Sequence, residues 1–255
     1  MSFDDVTRKA TGFWDAISRR AGTASAIDPN DSLGFKNDYI ALVRDSALAP
    51  VLDRLAAGHI IVDFGCGTGT FLGNLRQSHP ELAGVGVDIS REMLRLATAA
   101  HVDLPGRVAL FDGSRLPLRS GAVDAITTGG VLLYLTSQAS LASVCQEFHR
   151  ALKPGGMVAC VEQIRSTDRH DPINCKLQRA PESLIAGFLG AGFELVEWRQ
   201  VRRGRFPLIY PIRYGLVPRR WFEKIARLES RLWRGARAPS VDYADALFVF
   251  RKPSA

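Results

Sequence analysis

Ile60-Ile61-Val62-Asp63-Phe64-Gly65-Cys66-Gly67-Thr68-Gly69-Thr70 is the stretch from which the rest of the chain can be ordered. Apolar residues read as the end of a buried strand, and an acid interrupts them. Glycines then occupy every second position until a helical pattern begins at 70–77. A backbone bare of side chains at the top of a strand lets a ligand lie against the main chain. The helix behind it turns unpaired N–H groups toward the same place.

Outward from this turn, strands and helices alternate. Apolar runs bounded by turn residues predict strands at 59–64, 83–88, 107–111, 122–128, 157–163, 193–199 and 245–251. Helical spacing predicts helices at 70–77, 90–100, 137–152 and 181–190. Ser90 has the character of an N-cap, with Glu92 in the first turn behind it. Lys153-Pro154-Gly155-Gly156 ends one helix and turns the chain into the next strand. The alternation predicts an α/β fold, a parallel sheet covered by helices on both faces. Residues 1–57 read as a helical cap. Phe13, Trp14 and Ile17 make one apolar stripe, and Tyr39, Val43 and Leu48 make another, with a polar loop over 21–37 between them. Residues 58–255 form the main domain, interrupted by an insert over 202–240.

The chain has 255 residues, 46% hydrophobic, with a formal net charge of +7. The charge is local. Arg199 to Arg237 holds twelve Lys and Arg against two acids, Glu223 and Glu229, so the remainder is slightly acidic. A helix over 218–234 is expected within the insert, with Trp221, Ile225, Leu228 and Leu232 on one apolar face and basic residues over much of the rest, an arrangement suited to an anionic membrane or to roofing the pocket of a lipid-like acceptor. The four cysteines have no metal-ligand spacing and read as small hydrophobes in a reducing compartment, so no metal is expected. Acids at Asp4 and Asp5 and the lack of an apolar run argue against a signal peptide, and no run reaches membrane-span length. The expected location is cytoplasmic, with peripheral membrane contact through 206–234 as an extension.

Four features gather at the carboxyl ends of adjacent strands, where open α/β sheets hold ligands. The first is the glycine turn. The second is Asp88, whose carboxylate can accept both hydroxyls of a ribose. The third is Asp112-Gly113, an acid and a backbone N–H suited to an adenine edge. The fourth is the strand end at Gly129-Gly130. A nicotinamide fingerprint fails because its last glycine position is Thr70.

With Gly86-Val87-Asp88-Ile89-Ser90, Val131 to Leu135 and Leu152 to Gly156 added, the ordered set resembles the class I S-adenosylmethionine-dependent methyltransferases, in their small-molecule branch. The likeness runs over about 50–200 and takes in the last strand. It implies a Rossmann-like three-layer sandwich with a seven-stranded sheet in the order 3-2-1-4-5-7-6, the seventh strand antiparallel. It implies S-adenosyl-L-methionine as cofactor. Gly65, Gly67 and Gly69, with Asp63 and Cys66 in the same turn, would line the methionine and ribose. Asp88 would hold the ribose diol with Ile89 beside it, Asp112 and Gly113 would meet the adenine, and the Gly129 carbonyl would face the methionine amino group.

The resemblance implies methyl transfer to a small-molecule or lipid-linked acceptor. Positioning could account for much of the rate, and a base is needed only if the nucleophile must lose a proton. Leu133 and Tyr134 stand where relatives often carry histidines, so no histidine base is carried over. Tyr134 is a candidate for orienting the acceptor. His170, with Asp168 or Asp171 to orient it, is a candidate general base, and Glu162 is another. Lys36, Tyr39 and Arg44 are candidates for a closing lid. Two other readings stand beside this one: an RNA methyltransferase using the basic segment 199–237, and a non-catalytic scaffold subunit of the same fold.

Overall fold

A computed structural model describes residues 11–19, 27–28, 30–101, 103–113, 115–239 and 242–254. The first ten residues and part of the predicted polar loop lie outside them. Residues 11–19 are helical. Thereafter come α1 (Phe35–Leu52), β1 (Ile60–Phe64), α2 (Thr70–Ser78), β2 (Ala83–Asp88), α3 (Arg91–Ala100), β3 (Val108–Leu110) and β4 (Val123–Gly129). They are followed by α4 (Gln138–Ala151), β5 (Leu152–Ile164), β6 (Arg169–Asp171), β7 (Lys176–Gln178) and α5 (Pro181–Gly190). The chain closes with β8 (Glu194–Arg203), α6 (Ile209–Arg213), α7 (Phe222–Trp233) and β9 (Ala244–Arg251).

Seven strands form one sheet in the order β3-β2-β1-β4-β5-β9-β8. Strands β1 to β5 pair in parallel, and β9 runs antiparallel to both β5 and β8. This is the expected order, with β8 and β9 as its sixth and seventh strands. The short hairpin β6–β7, read as loop from the sequence, forms its own two-stranded sheet. The central strands are buried on both faces. Ile61, Val62, Ile126, Val158 and Cys160 are closed to solvent, as parallel strands between two helical layers require.

The two faces have separate cores. One packs α4 and α5 on the sheet through Leu141, Phe148, Leu184 and Phe188, with the Phe188 and Phe250 rings stacked at 4.0 Å. The other packs α1, α6 and α7 through Tyr39, Val43, Leu48, Ile212, Phe222 and Ile225 against Ala159, Val161, Leu247 and Val249. Helix α1 therefore belongs to a layer of the sandwich.

The predicted apolar face of the insert helix is divided in the structure, with Ile225 buried and the other three residues exposed. The buried residues of α7 are Phe222, Ile225, Ala226 and Glu229, while Trp221, Leu228 and Leu232 stand in solvent. The reason is a buried carboxylate, which hydrophobic periodicity cannot register. Glu229 accepts from Tyr39 Oη at 2.6 Å and from the Arg203 N–H at 2.8 Å, and these contacts set the rotation of the helix. Strand β8 also continues to Arg203, so the insert begins later than expected. Arg202, counted in the basic segment, is buried and paired with Asp245 at 2.9 Å. Of that segment's charge, Arg202 belongs to the core.

Candidate functional site

The turn after β1 is held by its neighbours' backbones. The N–H groups of Gly65 and Cys66 both donate to the Val87 carbonyl, at 2.8 and 3.1 Å. Gly65 has φ +74°, and a Cβ there would fall 2.5 Å from Val131 Cγ2. A side chain at this position is thus excluded by backbone conformation and by space. Gly69, at the start of α2, is needed for packing: a Cβ there would meet Leu104 and Ala97.

Asp88 stands at the end of β2, 8% exposed. One oxygen accepts from the Gly67 N–H and the other from the Ser90 N–H, each at 2.8 Å. Burial raises the pKa of its carboxyl, and the backbone N–H groups of Ser90, Gly67 and Ile89 oppose that rise. Ser90 in turn caps α3 through Met93 and donates its hydroxyl hydrogen to Asp15, on the helical segment 11–19.

These residues open onto a cavity of about 1390 Å³, counting its mouth. Asp63, Gly65, Cys66, Gly67, Asp88, Ile89, Gly113, Gly129 and Tyr134 all line it. Gly69, Asp112 and His170 are not among its walls. Asp112 is exposed and accepts from the Arg115 N–H at 3.2 Å, which fixes the turn that presents Gly113. His170 lies exposed on β6, opposite Leu177. Asp168 is used by the Ala180 N–H, and Asp171 by Asn174.

The walls also include residues to which the sequence assigned no ligand contact. Arg44 on α1 donates from Nη1 to the Gly129 carbonyl at 3.2 Å. Its Nε is buried with no partner among the described residues, and so is the hydroxyl of Thr128. Asp45 lies beside it, its carboxyl pushed up to about 6, chiefly by burial. Asp63 is pushed up to about 8 by burial, then by the charges of Asp45 and Asp88. Three carboxylates crowded in one cavity suit a ligand that brings positive charge. At the other end Trp14 meets Tyr134 edge-on at 5.0 Å, and Lys176 Nζ lies 5.5 Å from the Tyr134 ring.

Glu162 is absent from the walls. It accepts from the N–H groups of Val131 and Leu132, at 3.0 and 3.1 Å, while Arg179 donates to the carbonyls of Leu132 and Ser137. Two buried charged side chains thus fix the segment after β4, which carries Val131 and Tyr134 into the cavity. Arg179 had no signal in the sequence beyond its charge.

Residues 61–156 match the family model described as a methyltransferase domain. With the strand order and the glycine turn already in view, the match supports a class I S-adenosylmethionine-dependent methyltransferase. Residues 61–156 carry a methyltransferase domain. This methyltransferase domain is 36% identical over 132 residues to the ubiquinone/menaquinone biosynthesis C-methyltransferase UbiE of Syntrophotalea carbinolica, 51% of each chain. The chain spans about half the length of the curated relatives it matches. Among solved structures, a Leishmania major S-adenosylmethionine-dependent methyltransferase superposes with a TM-score of 0.68 at 15% identity, covering 98% of this chain and 86% of that one. The geranyl diphosphate C-methyltransferase of Streptomyces coelicolor A3(2) gives 0.66 at 14% identity, covering 97% of both chains. At such identities the structures attest the shared fold. The methyltransferase fold places its cavity at the carboxyl ends of β1, β2 and β4, as observed.

Proposed function

We propose that the protein transfers a methyl group from S-adenosylmethionine to a small-molecule or lipid-linked acceptor. The observation that carries this reading is the Asp88 carboxylate accepting from the Gly67 N–H beside the bare backbone of Gly65, all in one cavity wall. The residues fit the group: the cradle admits no Cβ at Gly65, and two buried polar atoms of the walls still lack partners.

When bound, S-adenosylmethionine supplies a methyl group on a cationic sulfur, an electrophile whose attack removes charge. Asp88, fixed by two backbone N–H groups, would accept from the ribose hydroxyls, with Ile89 beside it. Gly113 would meet the adenine, its turn fixed by Asp112. Arg44 would hold the methionine carboxylate, and the Gly129 carbonyl would accept from the amino group. Asp63 and Asp45 would offset the positive charge.

The acceptor end is walled by Trp14, Val131, Tyr134 and Leu135. It is an apolar, aromatic surface, suited to an acceptor with an apolar body. Burial raises the Tyr134 hydroxyl well above its usual range, so at neutral pH it is a proton donor that can orient a polar acceptor atom. The protein's contribution is alignment and exclusion of water. UbiE and the geranyl diphosphate enzyme are both named as C-methyltransferases, which supports an apolar acceptor. The scaffold and RNA readings have no comparable observation in the cavity.

Calorimetry with S-adenosylmethionine and its demethylated product tests cofactor binding. Incubation of the protein with methyl-labelled cofactor and a solvent-partitioned cell extract tests transfer. Label passing into the organic phase is expected. Binding without transfer to any fraction would favour the scaffold reading, and label in RNA would favour the nucleic-acid one.

A further inference from the structure

The insert presents its unburied side chains in an order that its own packing does not use. Tyr210, Tyr214, Leu216, Trp221, Leu228 and Leu232 are all half or more exposed, Leu216 to 75%. On α7 Leu228 and Leu232 are neighbours one turn apart, and Trp221 lies one heptad before Leu228, so the three share a stripe. Lys224 and Arg231 stand one turn to either side of Leu228 and flank that stripe. Lys224 Nζ also sits 5.7 Å from the Trp221 ring.

Arg219 is paired with Asp38, and Arg227 with Glu223. Arg220, Lys224, Arg231 and Arg234 have no carboxylate at ion-pair distance among the described residues. A helix with an outward apolar stripe bordered by uncompensated cations matches the interfacial helices that lie in the headgroup layer. Single exposed apolar residues are ordinary on soluble proteins, but a row at helical spacing beside a cationic row is not.

We infer that the segment 210–234 docks on an anionic lipid surface, the Trp221–Leu228–Leu232 stripe entering the headgroup layer and Arg220, Lys224 and Arg231 pairing with lipid phosphates or carboxylates. Charge decides between the possible occupants. A second copy related by a two-fold axis would bring these cations against themselves. An RNA strand would engage the cations and leave the leucines in water. Only a surface both apolar and anionic satisfies both rows.

Helix α1 joins this surface to the cavity. Its Ala41, Arg44, Asp45 and Leu48 line the cavity. Its opposite side carries Phe35, under the Arg219 guanidinium, and Tyr39, against Phe222 and Glu229. The docking surface thus sits on the far side of the helix that walls the methyl-transfer site. The inference goes beyond methyl transfer and does not depend on it.

The test is co-sedimentation with phosphatidylcholine vesicles, with and without about 30% phosphatidylserine, whose negative surface potential is the intended attraction. The protein should pellet with the anionic vesicles and remain in solution with the neutral ones. Leu228→Gln/Leu232→Gln and Lys224→Gln/Arg231→Gln should each weaken binding about tenfold, the second pair also reducing its salt dependence. These side chains are exposed, so unchanged melting temperatures should show both variants folded. Failure of the wild-type protein to pellet with anionic vesicles at low salt would overturn the inference, as would full binding by the leucine variant. Binding to a single-stranded RNA oligomer in place of vesicles would reassign the surface to nucleic acid. Dimerisation abolished by the leucine changes would reassign it to a second copy. Calorimetry with the demethylated cofactor on the same variants keeps the questions apart, since intact cofactor binding with no vesicle binding rejects docking alone.

Discussion

Tyr39 Oη donates to the Glu229 carboxylate at 2.6 Å, a buried bond between residues 190 positions apart that ties the helix walling the cavity to the helix of the insert. Burial raises the Glu229 carboxyl to about 7, while the Tyr39 and Arg203 donors and the Arg202 charge oppose that rise. Tyr39→Phe removes one of its two short donors. The expected cost is about 1–3 kcal/mol, that of leaving a buried acceptor short of a partner. A thermal melt should fall by roughly 2–12 °C, at about 2–4 °C per kcal/mol for a chain of this size. No change would mean that the insert is not anchored through this pair.

Asp88→Asn keeps the shape of the side chain and removes its charge and half of its accepting capacity. Hydrogen bonds to a charged group are worth about 1.5–3 kcal/mol, so affinity for the demethylated cofactor should fall by about 10- to 150-fold. Calorimetry at fixed pH measures it. An unchanged dissociation constant would remove the ribose assignment.

Arg44 can be separated from Asp88 by choice of ligand. Arg44→Met should weaken binding of the demethylated cofactor by about tenfold or more, through loss of a charge-assisted bond to its carboxylate. Binding of methylthioadenosine, which has no amino-acid part, should change little. Equal losses for both ligands would show that Arg44 acts by shaping the cavity.

Four acids give a pH signature. Asp45 is raised to about 6, Asp63 to about 8, and Glu162 and Glu229 each to about 7, all chiefly by burial. Between their unfolded values and these, the folded protein binds more protons than the unfolded chain. Stability is therefore fully present below the unfolded values and falls as pH rises toward about 8. The His149 ring, held below its usual value by burial, works weakly in the opposite sense. Ligand-free protein should melt higher at about pH 5.5 than at about pH 8.5. Asp63→Asn should flatten that slope. A cationic ligand favours the ionised acids, so cofactor affinity should rise over the same interval, with proton release detectable by calorimetry in buffers of different ionisation enthalpy. A melting temperature that climbs with pH, or a slope unaltered in Asp63→Asn, would contradict this account.

The legible part of this molecule was the part built from repeated local rules. Strand runs, the Ser90 cap and the Pro181 helix start are short-range features, and the sheet order followed from the ordered motifs. The hidden part consists of long-range polar contacts. Glu229 helps set which side of α7 is buried, and nothing in its own helix shows the hydroxyl waiting on α1. Arg179 and Glu162 look like ordinary charges along the chain, yet together they set the segment after β4. Arg44 was placed with a lid, but its contact with Gly129 depends on how α1 lies across the sheet. His170 had a plausible sequence context. The hairpin β6–β7 leaves it exposed outside the cavity walls, with the neighbouring acids engaged elsewhere.

Asp15 reaches Ser90, and Ser90 is held by Asp88. The segment carrying Trp14 over the cavity is therefore latched to the same corner that grips the sugar. The hold on this segment and the hold of Asp88 on its own N–H partners are thus separate bonds. Asp15→Ala would release the Trp14 segment from this corner while leaving both backbone bonds of Asp88 in place.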